Sequence, residues 1–216
     1  MNRYFDIYYD NKSTYPKKLC RYLLNRFNIK DGALLLDVGC GIGDYVNGFT
    51  CLGIKSYGID SRPVSDNRIK KCDLDKEAIP YKSNTFDVVF TKSFVEHLND
   101  PYRAIMEMKR VLKPNGLLIV MTPDWKSGMK TYYDGYDHKS PFTQRGLKDL
   151  IRYTEFKEVE CDLFYQLPFI WKYPSLVWIP KIISILPDKL MWKDYNTHRP
   201  LIRFSKLKML LAWGYK

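Results

Sequence analysis

The stretch that decides the fold class, at residues 34–43, reads Leu34-Leu35-Leu36-Asp37-Val38-Gly39-Cys40-Gly41-Ile42-Gly43. Its first half is a largely apolar run, which is typical of a strand buried on both faces. Its second half has glycine at every second position, where the missing Cβ atoms let the backbone turn tightly and leave bare amides for a ligand. Asp44 stands where a dinucleotide-binding fingerprint has its last glycine, and the chain has no Gly-Lys-Ser/Thr phosphate loop. The stretch predicts a buried strand that runs directly into a ligand-binding loop.

Other strands and helices alternate along the chain around this unit. The apolar patterns predict strands at 33–38, 56–59, 69–72, 86–91, 117–121 and 156–165, and helices at 16–28, 101–112 and 143–153. Residues 206–215 are expected to return as a last strand at an edge of the sheet. This alternation indicates right-handed βαβ units. The predicted fold class is α/β, with a doubly wound, Rossmann-like, mostly parallel seven-stranded sheet and helices on both faces.

We expect one domain over residues 1–216, with an N-terminal helical segment at 1–30 and an aromatic insertion at 168–200 before the last strand. The insertion combines tryptophan, proline and lysine with apolar residues. Its aromatic faces could stack on sugar rings, or they could sit at a bilayer surface with the lysines on phosphates. It could also bury its own aromatics as a local subdomain, or form a dimer contact. The prolines prevent one long membrane helix.

The net charge, the cysteines and the apolar runs limit the binding partners and the cellular compartment that we expect. The net charge of +11 attracts anions, which include nucleic acid, acidic glycans, phosphorylated substrates and anionic lipid headgroups. The five cysteines form no Cys-x-x-Cys pair, which disfavours a zinc knuckle or a disulfide framework. No apolar run approaches the roughly 20 residues of a membrane span, and the first residues lack the apolar core of a signal peptide. We expect a cytoplasmic protein, with peripheral contact to an anionic membrane left open.

Polar residues follow the predicted strands at the sheet edge where ligands of such folds bind. Asp60 ends the second strand, where a carboxylate can accept hydrogen bonds from both ribose hydroxyls of a nucleoside. Asp73-Leu74 follows the third strand and offers a polar and an apolar contact to an adenine. Thr91 to Ser93 follows the fourth strand and faces the same ligand.

In combination these residues resemble the class I S-adenosylmethionine-dependent methyltransferases, and more narrowly their type 11 branch. The resemblance extends over about 33–156 and includes Phe86–Phe90, Glu96-His97-Leu98 and Arg110–Leu117. It implies S-adenosyl-L-methionine as cofactor and S-adenosyl-L-homocysteine as product. The glycine loop then holds the methionine part of the cofactor, the acid after the second strand holds the ribose, and Asp73-Leu74 faces the adenine. The implied cofactor-binding residues are Asp37, Gly39, Cys40, Gly41, Gly43, Asp60, Ser61, Asp73, Leu74, Thr91 and Ser93.

Two other interpretations of these residues stay open. Gly39 and Gly43 could only permit close helix–strand packing, and Asp60 could only cap the next segment. Some relatives bind a divalent ion through a Glu-x-x-Glu-His sequence, but here Ser93 replaces the first Glu before Glu96-His97. We therefore expect no metal.

The loop after the fifth strand supplies the candidate catalytic residues. In this fold the loop lies beside the transferable methyl group, so an acceptor hydroxyl would meet its tyrosine, aspartate and histidine side chains. His138 is the candidate general base, and Asp134 or Asp137 could orient its imidazole. Alternatively, His138 only caps the helix that follows.

The predicted function is O-methylation of a sugar hydroxyl. Residues 134–143 and the aromatic, basic tail resemble methyltransferases of glycan-assembly systems, which implies a saccharide or glycoconjugate acceptor. A small metabolite, a lipid or RNA is the alternative acceptor, and RNA is disfavoured because the chain has no appended RNA module. A partner protein that binds the cofactor without turnover is the alternative outside enzymes. The sequence leaves the oligomeric state open.

Overall fold

The computed structural model describes residues 14–187 and 200–216. Residues 1–13 of the predicted N-terminal segment and 188–199 of the predicted insertion, with His198, lie outside the described residues. The strands are β1 Leu34–Val38, β2 Lys55–Asp60, β3 Ile69–Lys71, β4 Phe86–Lys92, β5 Leu112–Pro123, β6 Lys157–Phe164 and β7 Met209–Tyr215. The α-helices are α1 Tyr15–Arg26, α2 Asp44–Thr50, α3 Pro101–Val111, α4 Trp125–Gly128, α5 Gln144–Tyr153, α6 Pro168–Lys172, α7 Trp178–Ile185 and α8 Pro200–Lys206. Short 3₁₀ turns occur at Val95–His97, Tyr132–Asp134 and Pro174–Val177.

The strands form one seven-stranded sheet in the order β3-β2-β1-β4-β5-β7-β6. Strands β1 to β5 are parallel, and β7 runs antiparallel between β5 and β6. The predicted fold class is thereby confirmed. The strand order reverses between β1 and β4, so the crevice outside their carboxyl ends is the expected ligand site. The glycine loop follows β1 there, and the turn at Val95–His97 follows β4.

Helices cover both faces because successive residues of each strand point to opposite sides. Leu36 and Val38 of β1 belong to the apolar core shared with α3 and α5. Leu35, between them, belongs to the core shared with α1 and α2. A strand buried on both faces needs a continuous apolar sequence, which is the pattern that predicted β1.

The predicted edge position of the last strand is wrong. Strand β7 lies inside the sheet, and its residues Leu210, Leu211 and Ala212 are fully buried. Strand β6 takes the edge instead, and its burial alternates along Lys157–Phe164. The sequences of the two strands explain their positions. The continuous apolar run of β7 is buried on both faces, whereas the charged residues of β6 require contact with water.

The described part of the insertion, between β6 and β7, consists of α6, a 3₁₀ turn, α7 and α8. Trp171 of α6 stacks on Phe164 with ring centroids 5.2 Å apart, and its ring also contacts Tyr15 and Tyr22 of α1. Strand β6 ends and β7 begins beside Pro123, the last residue of β5. The insertion therefore leaves the sheet at the carboxyl edge of the parallel strands. Among the described residues, none of the helices has the length and apolar character needed to cross a membrane.

Candidate active site

The glycine loop between β1 and α2 has left-handed backbone conformations. Gly39, Gly41 and Gly43 have φ angles of +73°, +58° and +92°, which residues with a Cβ atom rarely adopt. A Cβ atom at position 39 would lie 2.2 Å from Cδ2 of Phe94, so the space above this glycine is already filled. Phe94 could not be predicted as a neighbour of Gly39, because this contact depends on the turn after β4.

The side chain of Cys40 is part of the packing between the loop and β2. Cys40 is buried, and a Cβ atom at Gly58 would lie 2.6 Å from its sulfur. Its amide donates a hydrogen bond of 3.0 Å to the carbonyl of Ile59. We expect any contact of Cys40 with a cofactor to use its backbone.

Asp37 in β1 supplies a buried carboxylate that is only partly satisfied. It is 1% exposed, and its Oδ2 atom has no hydrogen-bond partner among the described residues. Burial raises the pKa of Asp37 well above its ordinary value, and the negative charge of Asp60 raises it further, whereas Lys92 opposes both. Leaving a buried acceptor unpaired costs free energy, so this atom indicates a place for a ligand's donor.

Asp60 at the end of β2 is surrounded by donors. Its Oδ2 accepts from the amide of Gly41 at 2.9 Å. Its Oδ1 accepts from the amide and the Nε of Arg62, at 3.1 and 2.9 Å, and a guanidinium NH₂ group lies 3.3 Å from Oδ2. The carboxylate predicted to hold a ribose therefore already binds a guanidinium. Sequence reasoning missed Arg62, although its spacing of two residues from the acid could have indicated the pair.

The residues after β2 and β3 lie around the same edge. Ser61 is exposed. The amide of Cys72 donates to the carbonyl of Asp60 at 2.8 Å, which fixes the segment after β3 beside β2. The carboxylate of Asp73 pairs with Lys76 at 2.8 Å, and this pairing lowers the pKa of Asp73. Leu74 is 4% exposed and packs in the core, so it can offer only a small apolar surface to an adenine.

The end of β4 contains one structural hydroxyl and one partly buried amine. The Oγ1 of Thr91 donates to the carbonyl of Val38 at 2.8 Å, which links β4 to β1. Burial lowers the pKa of Lys92, and the carboxylates of Glu96 and Asp37 oppose this shift. Ser93 is exposed and has φ of +52°. The hydroxyl of Thr91 is thus engaged, whereas Ser93 stays accessible.

The turn after β4 contains Glu96, a second buried carboxyl group. Glu96 is 1% exposed, its Oε2 accepts from the hydroxyl of Thr122 at 3.0 Å, and its Oε1 has no partner among the described residues. Burial raises the pKa of Glu96 to about 7. The amides of Lys139 and Ser140 donate to its carbonyl oxygen, at 2.8 and 3.0 Å. The turn and the loop after β5 are joined here.

The loop after β5 brings two histidines together. The Nδ1 of His97 lies 3.3 Å from both the carbonyl and the Oδ2 of Asp137. The Nδ1 of His138 lies 2.6 Å from the carbonyl of Tyr132. The two imidazole rings are 4.9 Å apart. With Nδ1 donating to a carbonyl, a neutral His138 carries its lone pair on Nε2.

Two details of the predicted catalytic set need correction. The orienting group of His138 is the carbonyl of Tyr132, whereas Asp137 contacts His97 instead. Asp134 is exposed and lies in the 3₁₀ turn. The cap of α5 is Thr143, which accepts from the amide of Gly146, so His138 is not the helix cap. The carbonyl of Tyr132, rather than an aspartate, binds Nδ1 of His138 because the 3₁₀ turn places Tyr132 directly beside the imidazole ring.

The same cluster contains atoms that could hold a metal ion. One ligand atom each from Glu96, His97 and His138 lies within 4.8 Å of the others. The sequence missed this convergence because the two histidines are 41 positions apart. The expectation that no metal binds stays a prediction, and chelation tests it.

The edge of the sheet fits S-adenosylmethionine. The unpaired Oδ2 of Asp37 can accept from an ammonium group, the glycine loop presents backbone without Cβ atoms, and Asp60 can accept from ribose hydroxyls once Arg62 moves. These features would be difficult to explain by packing alone, because an unpaired buried carboxylate destabilises a protein.

The sequence also matches known proteins. A family model described as a methyltransferase domain matches residues 36–120. The uncharacterized protein MJ0638 of Methanocaldococcus jannaschii is 32% identical over 169 residues, which cover 75% of this chain and 72% of that protein. A ubiquinone biosynthesis O-methyltransferase of Rhodopseudomonas palustris is 34% identical over 110 residues, or 44% of this chain and 43% of that enzyme. The chain thus spans less than half of this named relative.

The fold matches solved methyltransferases. The crystal structure of a SAM-dependent methyltransferase from Archaeoglobus fulgidus superposes with a TM-score of 0.65 at 17% identity, over 100% of both chains. This likeness shows the fold. The matched methyltransferase domain and the relative named a methyltransferase identify an enzyme that uses S-adenosylmethionine. The chain belongs to the class I S-adenosylmethionine-dependent methyltransferases.

Proposed function

We propose that the enzyme methylates the oxygen of an acceptor hydroxyl, and that this acceptor is a sugar of a glycan or glycoconjugate. The observation that carries the proposal is the 2.6 Å contact between His138 Nδ1 and the carbonyl of Tyr132, which leaves the lone pair of a neutral imidazole on Nε2. Such a base can remove the proton of an acceptor hydroxyl, which is needed because an unactivated hydroxyl is a poor nucleophile. The Rhodopseudomonas relative is named an O-methyltransferase, which also supports oxygen as the accepting atom.

The reaction requires one proton transfer and one displacement. Nε2 of His138 accepts the hydroxyl proton while the oxygen forms a bond to the methyl carbon. When bound, S-adenosylmethionine would supply the methyl group from its sulfonium, and the sulfur would keep the electron pair of the carbon–sulfur bond. General base catalysis contributes roughly 10²- to 10⁴-fold, and alignment of the reactants about 7–11 kcal/mol.

Exposed aromatic side chains in the loop that contains His138 support a saccharide acceptor. Tyr133 is 60% exposed and Tyr136 is 88% exposed, and both lie in the loop that holds His138. Exposed tyrosine rings offer an apolar face with a polar tip, which suits the mixed surface of a sugar. Removal of both rings is expected to raise the KM for the acceptor and to leave cofactor affinity unchanged.

The first experiment separates cofactor binding from transfer. Calorimetric titration with S-adenosylmethionine should show binding that Asp60→Ala abolishes and His138→Ala retains. Transfer of labelled methyl groups to a panel of saccharides should fall about 10²-fold or more in His138→Ala. Unchanged transfer in this variant contradicts the assignment of the base, and transfer only to acceptors without sugars contradicts the proposed substrate.

A lipid is the second candidate acceptor, and the exposed face of α7 favours it. Trp178 and Ile182 on this helix are 55% and 56% exposed. The same labelled-methyl assay with lipid-extract acceptors distinguishes the two classes.

A further inference from the structure

Helix α7 presents an apolar stripe to the surface. Trp178, Ile182 and Ile185 are 55%, 56% and 83% exposed. They stand at positions i, i+4 and i+7, so they share one face of the helix. Leu186 after the helix and Leu201 of the neighbouring α8 are also exposed. We call these five residues the α7 surface. Contiguous exposed apolar groups of this kind indicate an interaction site.

The two helices of the α7 surface contain cations and no acid. After Asp162, the described residues contain no aspartate or glutamate. Lys181 lies on α7, Arg203 and Lys206 lie on α8, and the Nζ of Lys206 donates to the carbonyl of Ser184 in α7 at 3.2 Å. The sequence between Pro187 and Pro200, outside the described residues, adds three cations and two acids. An apolar helix face with tryptophan, surrounded by cations, is the pattern that binds anionic bilayer surfaces.

The α7 surface belongs to the segment that leaves the sheet at the active-site edge. The carbonyl of Lys208, between α8 and β7, accepts from the amide of Asp124 at 3.0 Å. The amide of Lys208 donates to the hydroxyl of Ser127 at 3.0 Å. These contacts join the insertion to α4, the first part of the loop that holds His138.

We propose that the α7 surface binds an anionic phospholipid bilayer, so that the acceptor reaches the active site as a membrane-bound, lipid-linked molecule. This inference rests on the proposed function for the identity of the acceptor but not for the membrane contact itself. The helix is eight residues long, so it can lie in the headgroup region without spanning the bilayer.

The test is co-sedimentation of the intact protein with vesicles of phosphatidylcholine, alone or mixed with phosphatidylglycerol. The wild type should bind the mixed vesicles, and added salt should weaken this binding because it screens the cations. Trp178→Ala combined with Ile185→Ala should reduce the partition coefficient about tenfold or more. Lys181→Ala should reduce it about fivefold.

Matched controls stand at the opposite edge of the sheet. Tyr153→Ala removes an aromatic ring that is 76% exposed at the end of α5. Lys82→Ala removes an exposed cation before β4. Both variants should bind the mixed vesicles as the wild type does, and each variant's circular dichroism confirms that it is folded.

Three results overturn the membrane inference. They are the absence of binding to mixed vesicles, equal binding by the wild type and the Trp178→Ala/Ile185→Ala variant, and a wild-type dimer that this variant converts to a monomer. The last result would show that the α7 surface joins two copies of the chain. Methyl transfer to a soluble saccharide without membrane binding would leave the proposed function intact. Membrane binding without transfer to any hydroxyl would leave the membrane inference intact and contradict the proposed function.

Discussion

Arg62 is expected to compete with the cofactor for Asp60. The guanidinium binds both carboxylate oxygens, at 2.9 Å from Oδ1 and 3.3 Å from Oδ2. A ribose that binds the same two oxygens must displace the guanidinium, and the energy of the ion pair then opposes cofactor binding. Arg62→Ala removes this competition and keeps the backbone hydrogen bond from position 62.

The magnitude follows from the exposure of the pair. The side chain of Arg62 is 38% exposed and that of Asp60 is 8% exposed. A pair that is open to water on one side contributes about 0.2–1 kcal/mol. Arg62→Ala should therefore tighten S-adenosylmethionine binding by up to about fivefold, because 1.4 kcal/mol corresponds to tenfold.

Calorimetric titration with S-adenosylmethionine and S-adenosylhomocysteine measures the effect. The matched control is Arg68→Ala, because Arg68 forms the same two-residue pair with Asp66, at 2.6 Å. This variant should leave the affinity unchanged. A weaker affinity in Arg62→Ala would refute the reasoning, since it would mean that the guanidinium contacts the cofactor. An unchanged affinity would show that the ion pair does not compete.

Three other predictions test the site. Gly39→Ala should lower the free energy of unfolding by about 1–3 kcal/mol and abolish cofactor binding, because φ is +73° and Phe94 fills the space; wild-type urea unfolding and affinity in this variant would contradict the loop assignment. The folded-state pKa of Glu96, about 7, exceeds the ordinary value of 4.5, so the free energy of unfolding of the wild type should fall as the pH rises from about 4.5 to 7. Glu96→Gln should remove this fall. Parallel pH profiles of thermal unfolding for the two proteins would argue against a buried acid. Chelation by EDTA should leave methyl transfer unchanged, and a loss that zinc or manganese restores would assign a metal to Glu96, His97 and His138.

The sheet could be predicted because local sequence and global fold agree there. The buried strand β1 needs apolar residues on both faces, and the glycines after it need φ angles that other residues avoid. The same reasoning failed at the start of β5, which was predicted at residue 117 but begins at Leu112, before Pro114-Asn115-Gly116. Asn115 has the left-handed φ of +60° that its sequence indicates. A local turn conformation does not decide where a strand begins, because pairing with neighbouring strands determines it; here Leu112 already pairs with Phe86 of β4.

The candidate site was only partly visible in the sequence, because some of its residues act through contacts between distant segments. Asp60 was predicted from its position at the end of β2, and Asp37 from the resemblance to the methyltransferase family. The carboxyl group of Glu96 is held through Oε2 by Thr122 of β5, and the Nδ1 of His138 contacts the carbonyl of Tyr132. No periodic pattern records such contacts.

The buried carboxylates also affect how strongly the enzyme binds its cofactor compared with the product. Burial and the charge of Asp60 raise the pKa of Asp37, and Lys92 offsets this rise only in part. A cofactor with positively charged groups offsets it further, and its sulfonium charge disappears when the methyl group leaves. The product therefore interacts less favourably with these carboxylates than the cofactor does. The same charges therefore contribute less to product binding than to cofactor binding, which favours release after transfer.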